Sequence, residues 1–449
     1  MIEHDPVQNR IACPALFIAA PSSGQGKTTV TAALARYHRD QGRHVRVFKS
    51  GPDFLDPMIL ERASDNPVYQ LDLWMGGENH CRQLLYEAAK VADLILIEGV
   101  MGLYDGSGQF GSTADLAQLF NIPVLAVIDA TAMAQTFGAI AHGLATYRSN
   151  LPFAGVIANR VASANHADML AESLPENIRY FGGLPRGEHF SLPSRHLGLV
   201  QASEVEDLEQ RIDLAAHALA QLDVNLMPDP VQFEPGESGH VPMSLANHRV
   251  GIAQDDAFSF LYPANVDVLR VLGAEICFFS PLNDQELPEV DSLYFPGGYP
   301  ELFADRLQNN KAMRNAIQAH FDAGKPIVAE CGGMLYLSET LTDKEGRQTE
   351  MLGLIPGNAT MQNRLGNLGM QSLFTAHGEL RGHSYHHSVM ETSLTPVAMT
   401  QPSRKKGRAE AVLQKNNMLA SYMHLYLPSN PGAGGHLFNG TLFSETRDF

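Results

Sequence analysis

The chain has 449 residues, 44% of them hydrophobic and 18% charged, with a formal net charge of −17. This is a globular composition of two or three domains, and it excludes collagen-like, coiled-coil and disulfide-scaffold proteins. So acidic a chain is unsuited to sequence-independent nucleic-acid binding, and no apolar run approaches the ~18 residues of a membrane span. Cys13, Cys81, Cys277 and Cys331 show no CxxC or zinc-ligand spacing, so free thiols in a cytoplasmic protein are expected. Ile11–Ala20 is apolar and ends in small residues, as a signal peptide does. Glu3 and Asp5 precede it and a phosphate-loop pattern follows, so it reads as the first core strand.

Short apolar runs then alternate with amphipathic stretches. Ala15–Ala20, Val45–Phe48, Leu94–Ile97, Val124–Ile128 and Ala154–Ile157 read as buried strands, and Thr28–Arg39 and Ala114–Phe120 as helices. That alternation predicts an α/β fold with a parallel sheet covered on both faces. From 223 to 248 the pattern gives way to Pro and polar residues, which predicts a linker between domains at 1–222 and 249–449. A second alternation follows. Its strands are Arg249–Ala253, Glu275–Phe279, Ser292–Phe295 and Pro326–Ala329, and its helices Val266–Leu272 and Asn309–Ala323.

The segment Ala20-Pro-Ser-Ser-Gly24-Gln-Gly26-Lys27-Thr28-Thr29 joins the first strand to the first helix. Glycines let backbone N–H groups converge on a phosphate, and the helix N-terminus adds its dipole. Lys27 suits the β- and γ-phosphates of ATP, and the Thr28 hydroxyl suits Mg²⁺. Pro21 replaces the first glycine of the usual pattern. The strand Asp93-Leu-Ile-Leu-Ile-Glu98 ends in an acid where a metal ligand belongs, and Lys49-Ser-Gly-Pro-Asp53 ends another strand. Asp53 and Glu98 are expected to hold Mg²⁺, although either acid could merely cap a helix. Asn159 is expected near the adenine.

Pro326-Ile-Val-Ala-Glu-Cys331-Gly332-Gly333 reads as strand, sharp turn and helix. A cysteine there is held exposed, with a thiol pKa lowered by the helix N-terminus. The Gly332 N–H and the paired Gly297–Gly298 after another strand are candidate oxyanion donors. The base is expected to be His424, in Ser421-Tyr-Met-His424-Leu-Tyr426. Tyr426 stands where a third, acidic member of a triad would sit. In Arg381-Gly-His383-Ser-Tyr-His386-His387 the histidines have helical metal-ligand spacing, but the Gly, Ser and Tyr around them favour a loop or strand contacting substrate.

FKSGPDFLDPMI, NPVYQLDLWM, LILIEGVMGLYDG, LPSRHLGLV, LYFPGGYPEL, AECGGMLYL and RGHSYHHS together resemble the cobyrinic acid a,c-diamide synthases, from about Cys13 to Tyr426. The cobyric acid synthases share the phosphate loop and cysteine elbow but are less similar through EGVMGLYDG and RHLGLV. The resemblance implies a P-loop NTPase domain of dethiobiotin-synthetase type, then a class I glutamine amidotransferase domain of flavodoxin-like α/β type. It implies ATP- and glutamine-dependent amidation of the a and c carboxylates of a corrin. Cys331 would attack glutamine with His424 as its base, and Asp53, Phe54, Leu55 and Asp105 would contact the acceptor. The family branch also lacks the triad Glu. Ser384 and His387 replace Glu and Tyr of the relatives' RGHEFHYS, and Tyr426 replaces His of SYxHLH.

ATP would convert the carboxylate to an acyl phosphate, and ammonia would need a sequestered path to it. A corrin polycarboxylate is a polyanion, so a local basic pocket is expected from Lys49, Arg160, Arg186 and Arg195. Within the same chemistry the alternative acceptors are hydrogenobyrinic acid and a nickel sirohydrochlorin. From other classes, a chromosome-partitioning ATPase switch would carry an early loop lysine where Pro21, Ser22 and Ser23 stand, and a glutaminase-dead binding protein would not need Cys331. Neither a nucleic-acid nor a membrane partner is expected.

Overall fold

The computed structural model describes residues 10–106, 111–187, 194–195, 198–199, 201–222, 225–237, 239 and 241–443. The chain divides into two compact units, Met1–Ser238 and Gly239–Phe449. No helix among the described residues is long and apolar enough to cross a membrane.

In the first unit β1 (Ile11–Ala19) leads through the phosphate loop into α1 (Lys27–Asp40). β2 (Val45–Ser50) precedes α2 (Leu55–Ser64), and β3 (Tyr69–Leu71) precedes α3 (Gly77–Ala89). β4 (Leu94–Glu98), α4 (Thr113–Leu119), β5 (Val124–Asp129) and α5 (Gln135–Thr146) follow. β6 (Phe153–Val161), α6 (Ala164–Glu172) and β7 (Tyr180–Pro185) complete the alternation. A short pair, β8 (Ser194–Arg195) and β9 (Gly198–Leu199), comes before α7 (Leu208–Ala220) and β10 (Pro230–Phe233).

The sheet order is β3-β2-β4-β1-β5-β6-β7, every pair parallel. Alternate residues of one strand feed opposite cores, which is why these strands read as unbroken apolar runs. Phe17, Ala19, Ile95 and Ile97 enter one core, and Leu16, Ile18, Leu94 and Leu96 enter the other.

One boundary needs correction. The expected linker at 223–248 contains β10, which pairs antiparallel with the start of β1, from Ile11↔Phe233 to Pro14↔Pro230. Val231 and Phe233 are buried in the first unit's core, while Pro230 and Gln232 are exposed. An edge position tolerates the missing N–H of Pro230.

The second unit begins with β11 (Arg249–Ala253), α8 (Pro263–Val271), β12 (Glu275–Phe279) and β13 (Ser292–Phe295). α9 (Ala304–Asn309) and α10 (Lys311–Asp322) replace the single helix expected at Asn309–Ala323. The Asn310 side chain accepts from the Met313 N–H and starts α10 afresh. β14 (Ile327–Glu330) and the one-turn α11 (Gly332–Tyr336) flank Cys331. The sheet order is β12-β11-β13-β14, then Met418–Ser421, all parallel, with Ala411–Lys415 and Ala398–Met399 added antiparallel. The parallel part has the flavodoxin-like 2-1-3-4-5 order, so the strand ends carry the site. In a smaller sheet, Asn367–Thr375 pairs with Gly378–His386, which pairs with His424–Tyr426.

Candidate functional site

At the carboxyl ends of β1, β2 and β4 the first unit gathers Lys27, Thr28, Lys49, Asp53, Asp56 and Glu98. Gly26 has φ 93°, and a Cβ there would lie 2.0 Å from the Asn159 amide nitrogen, so only glycine fits. Asn159 donates to the Gln25 carbonyl (2.9 Å), and its own carbonyl oxygen accepts from the Arg160 N–H (3.0 Å). The amide therefore braces the loop, a task beyond the adenine contact expected of it. Lys27 donates to the carbonyls of Met101 (2.7 Å) and Ser22 (3.3 Å). Burial lowers its pKa, partly offset by Glu98.

The Thr28 hydroxyl donates to Glu98 Oε1 at 2.9 Å, and Lys49 Nζ reaches the same oxygen at 2.7 Å. Glu98 Oε2 is buried and has no hydrogen-bond partner. An orphaned carboxylate oxygen beside a threonine hydroxyl is a hard-oxygen donor set that fits Mg²⁺. The described residues do not group three or more His, Cys, Asp or Glu into a metal cage. Magnesium commonly takes one or two carboxylates and completes its shell with phosphates and water. Asp53 Oδ1 accepts from the N–H groups of Leu55 (2.9 Å) and Asp56 (3.3 Å), so it caps the first turn of α2. Its other oxygen lies 3.5 Å from Lys49 Nζ. Phe54 and Leu55 open that helix. Asp105 accepts from the Gly102 N–H (3.0 Å) and closes the turn whose Met101 carbonyl holds Lys27.

Of the four cations expected to form a basic pocket, Lys49 and Arg160 are already ion-paired. Lys49 is buried and ion-paired with Asp56, Glu98 and Asp53. Burial opposes its charge, but Asp56 and Glu98 hold its pKa well above the usual lysine range. Burial, reinforced by Asp56, pushes Asp53 up to about 7. Arg160 pairs with Asp129. Arg186 is exposed, and the side chain of Arg195, like most of LPSRHLGLV, lies outside the described residues.

In the second unit Cys331 has φ 44° and ψ −108°, a strained turn that starts α11. Its N–H donates to the Ser421 carbonyl at 2.8 Å. A Cβ on Gly332 would lie 2.6 Å from the Gly298 carbonyl oxygen, and one on Gly297 would lie 2.2 Å from His424 Cε1. The three glycines, the elbow and His424 thus converge. The expected lowering of the thiol pKa is not seen. Burial, with Glu301 and other acids nearby, pushes it far up despite the Gly332 N–H, and a helix of five residues is too short to reverse that.

His424 is buried and stacks on His383, their ring centroids 4.9 Å apart. Burial, then the neighbouring His383 and His386, hold its pKa well below the usual value. Tyr426 is buried edge-on against Tyr262, whose hydroxyl meets His383 Nδ1 at 3.0 Å. His386 ends the strand Gly378–His386, stacks on Tyr422 and reaches Glu410 Oε1 at 3.1 Å. These histidines therefore lie in or beside a strand, as their neighbours suggested.

The family of CobQ/CobB/MinD/ParA nucleotide-binding domains matches residues 16–200, and the family of CobB/CobQ-like glutamine amidotransferase domains matches 249–432. A hydrogenobyrinate a,c-diamide synthase of Pseudomonas aeruginosa is 58% identical over 95% of this chain and 97% of its own. One of Stutzerimonas stutzeri is 59% identical over 95% and 98%. A cobyrinate a,c-diamide synthase of Herminiimonas arsenicoxydans is 46% identical over 94% and 96%.

The chain belongs to the a,c-diamide synthase family.

The fold follows: a P-loop nucleotide-binding unit with a parallel sheet, then a glutamine amidotransferase unit. Two residues of these candidate sites escaped the sequence reading. Asp56 is the second residue of α2 and pairs with Lys49. Glu330 precedes Cys331, and its Oε2 lies 3.9 Å from His424 Nδ1. An acid ending the otherwise apolar run Ile327-Val-Ala was the available signal.

Proposed function

We propose that this synthase amidates the a and c side-chain carboxylates of a cobyrinate-type corrin, using ATP and glutamine. The observation that carries the reading is one chain of this family holding both a phosphate loop tied to Glu98 and a cysteine elbow beside His424. A carboxylate is a poor acyl donor at neutral pH. Lys27 would neutralise the γ-phosphoryl group as an acceptor carboxylate oxygen attacks phosphorus and ADP leaves. Mg²⁺, held by the Thr28 hydroxyl and Glu98 Oε2, would supply further neutralisation of the phosphates. Asp53, with its pKa of about 7, is partly neutral at physiological pH and repels the acceptor less than an ordinary aspartate. Asp53, Phe54, Leu55 and Asp105 are assigned to acceptor contacts.

At the elbow, Cys331 Sγ would attack the glutamine side-chain carbonyl. His424 would take the thiol proton and pass it to the departing ammonia, and water would release glutamate from the thioester. Gly298 and Gly332 N–H groups would hold the oxyanion. Ammonia would then displace phosphate from the acyl phosphate. The test is ATP- and glutamine-dependent mass gain on candidate tetrapyrroles. The relatives' names cover cobalt-bearing and metal-free rings, so cobyrinic and hydrogenobyrinic acids are both offered. Two successive conversions of carboxylate to amide are expected on at least one of them. Absence of amidation on both would reject the assignment.

Cys331→Ala divides the labour. It should abolish glutamine-dependent synthesis and leave synthesis with concentrated ammonium salts. Equal loss with both nitrogen sources, in a folded variant, would count against the elbow's role.

A further inference from the structure

We infer that Glu330 is the carboxyl partner of His424, a positioning residue supplying the charge that Tyr426 cannot. The inference rests on the glutaminase reading of Cys331 and deepens it.

Three observations carry it. Glu330 and His424 are 2% and 1% exposed, and Glu330 Oε2 lies 3.9 Å from His424 Nδ1. Among the described residues Glu330 makes its ion pair with His424 and with no lysine or arginine. The carboxyl is also fixed: its Oε1 accepts the Leu425 N–H at 3.1 Å, immediately beside the histidine. Glu330 and Cys331 are consecutive, so the nucleophile and the base's partner share one strand end. Burying an acid in an apolar strand is costly unless something repays it with contacts. Tyr426, by contrast, is buried against Tyr262, and a phenol with an unperturbed pKa of about 10 carries no charge at neutral pH.

The groups facing Glu330 are Tyr294 from β13, His424 and the Leu425 N–H from their strand, and Cys331 next in the chain. His383 stands behind His424. Burial pushes Glu330 up to about 8, opposed by the Leu425 N–H and Tyr294. In the resting site acid and imidazole are thus both mostly neutral. When Glu330 has released its proton to solvent and His424 carries the thiol proton, the carboxylate becomes the imidazolium's counter-charge and keeps Nδ1–H aimed at it. A distance of 3.9 Å is longer than a hydrogen bond, and catalytic contacts that are long without substrate commonly tighten when it binds.

The experiment compares glutamate release by the wild type, Glu330→Gln, Glu330→Asp and Cys331→Ala across pH. Above about pH 8, where the carboxylate is ionised, Glu330→Gln should lower kcat roughly a hundredfold with little change in KM for glutamine. The wild type should show a rise in kcat near pH 8, and Glu330→Gln should lose it. Glu330→Asp should recover part of the rate and keep the rise. A Glu330→Gln rate within threefold of wild type, or loss of rate with an unchanged pH profile, would overturn the inference. Should the glutamine variant not melt cooperatively, the wild type decides. With ¹⁵N-labelled histidine, the signal missing in His424→Ala should show a protonated Nδ1 and an inflection near pH 8. A signal flat between about pH 6.5 and 9.5 would overturn the inference. If Cys331→Ala releases as much glutamate as wild type, the glutaminase reading itself has failed. If only the Glu330 comparison fails, that reading stands.

Discussion

Lys27 and Glu98 show how one residue's neighbours set its task. Lys27 is held on backbone carbonyls rather than on an acid, so its charge is available to phosphate. Glu98 offers one oxygen to Thr28 and Lys49 and leaves the other bare. Lys27→Ala should therefore remove synthesis with glutamine and with ammonia alike, and Glu98→Gln should do the same by weakening the proposed Mg²⁺ site. Each loss should exceed about 10²-fold in kcat. Near-normal turnover with saturating ATP and Mg²⁺ in either variant would contradict its assigned role. At the other site His424→Ala should cost far more glutaminase activity than Tyr426→Phe, because Tyr426 contributes packing against Tyr262. Comparable losses would make the tyrosine an essential partner.

At the level of elements, the strands were legible because parallel, doubly covered strands are apolar throughout. Leu94–Glu98 and Ile327–Glu330 could be read from a single line of sequence, each ending in an acid. What escaped was pairing between distant segments. β10 is four residues long, begins with proline and lies in a polar stretch, so nothing local separates it from a linker. Only its register against Ile11–Pro14 makes it a strand. The same limit hid the site's electrostatics. Lys49, Asp53 and Asp56 were visible as residues, but their mutual pairing depends on how β2 hands over to α2. The elbow thiol was misread because a local motif says nothing of the burial around it. The β10 assignment is testable. Phe233→Ala, which empties a buried site, should cost about 3 kcal/mol in the first unit. Hydrogen exchange should show faster exchange at Ile11–Cys13, and unchanged protection there would argue against the pairing.

For the whole molecule, charge becomes the deciding quantity. The chain carries −17, and the candidate acceptor site adds buried carboxylates to which Lys49 is already paired. A corrin polycarboxylate must approach against that field, whereas glutamine, a zwitterion, feels little of it. Salt shortens the Debye length from ~30 Å at 0.01 M to ~8 Å at 0.15 M and so weakens long-range repulsion. Over that range, with ATP saturating, kcat/KM for the corrin should rise severalfold. Glutaminase kcat/KM for glutamine should change by less than about twofold, since no net charge is brought together. The usual salt response of an enzyme steering an anion is the reverse: a fall as attraction is screened. A fall in kcat/KM for the corrin would therefore show that a local positive patch outweighs the net charge, and Arg160 and Arg186 would be the first residues to neutralise.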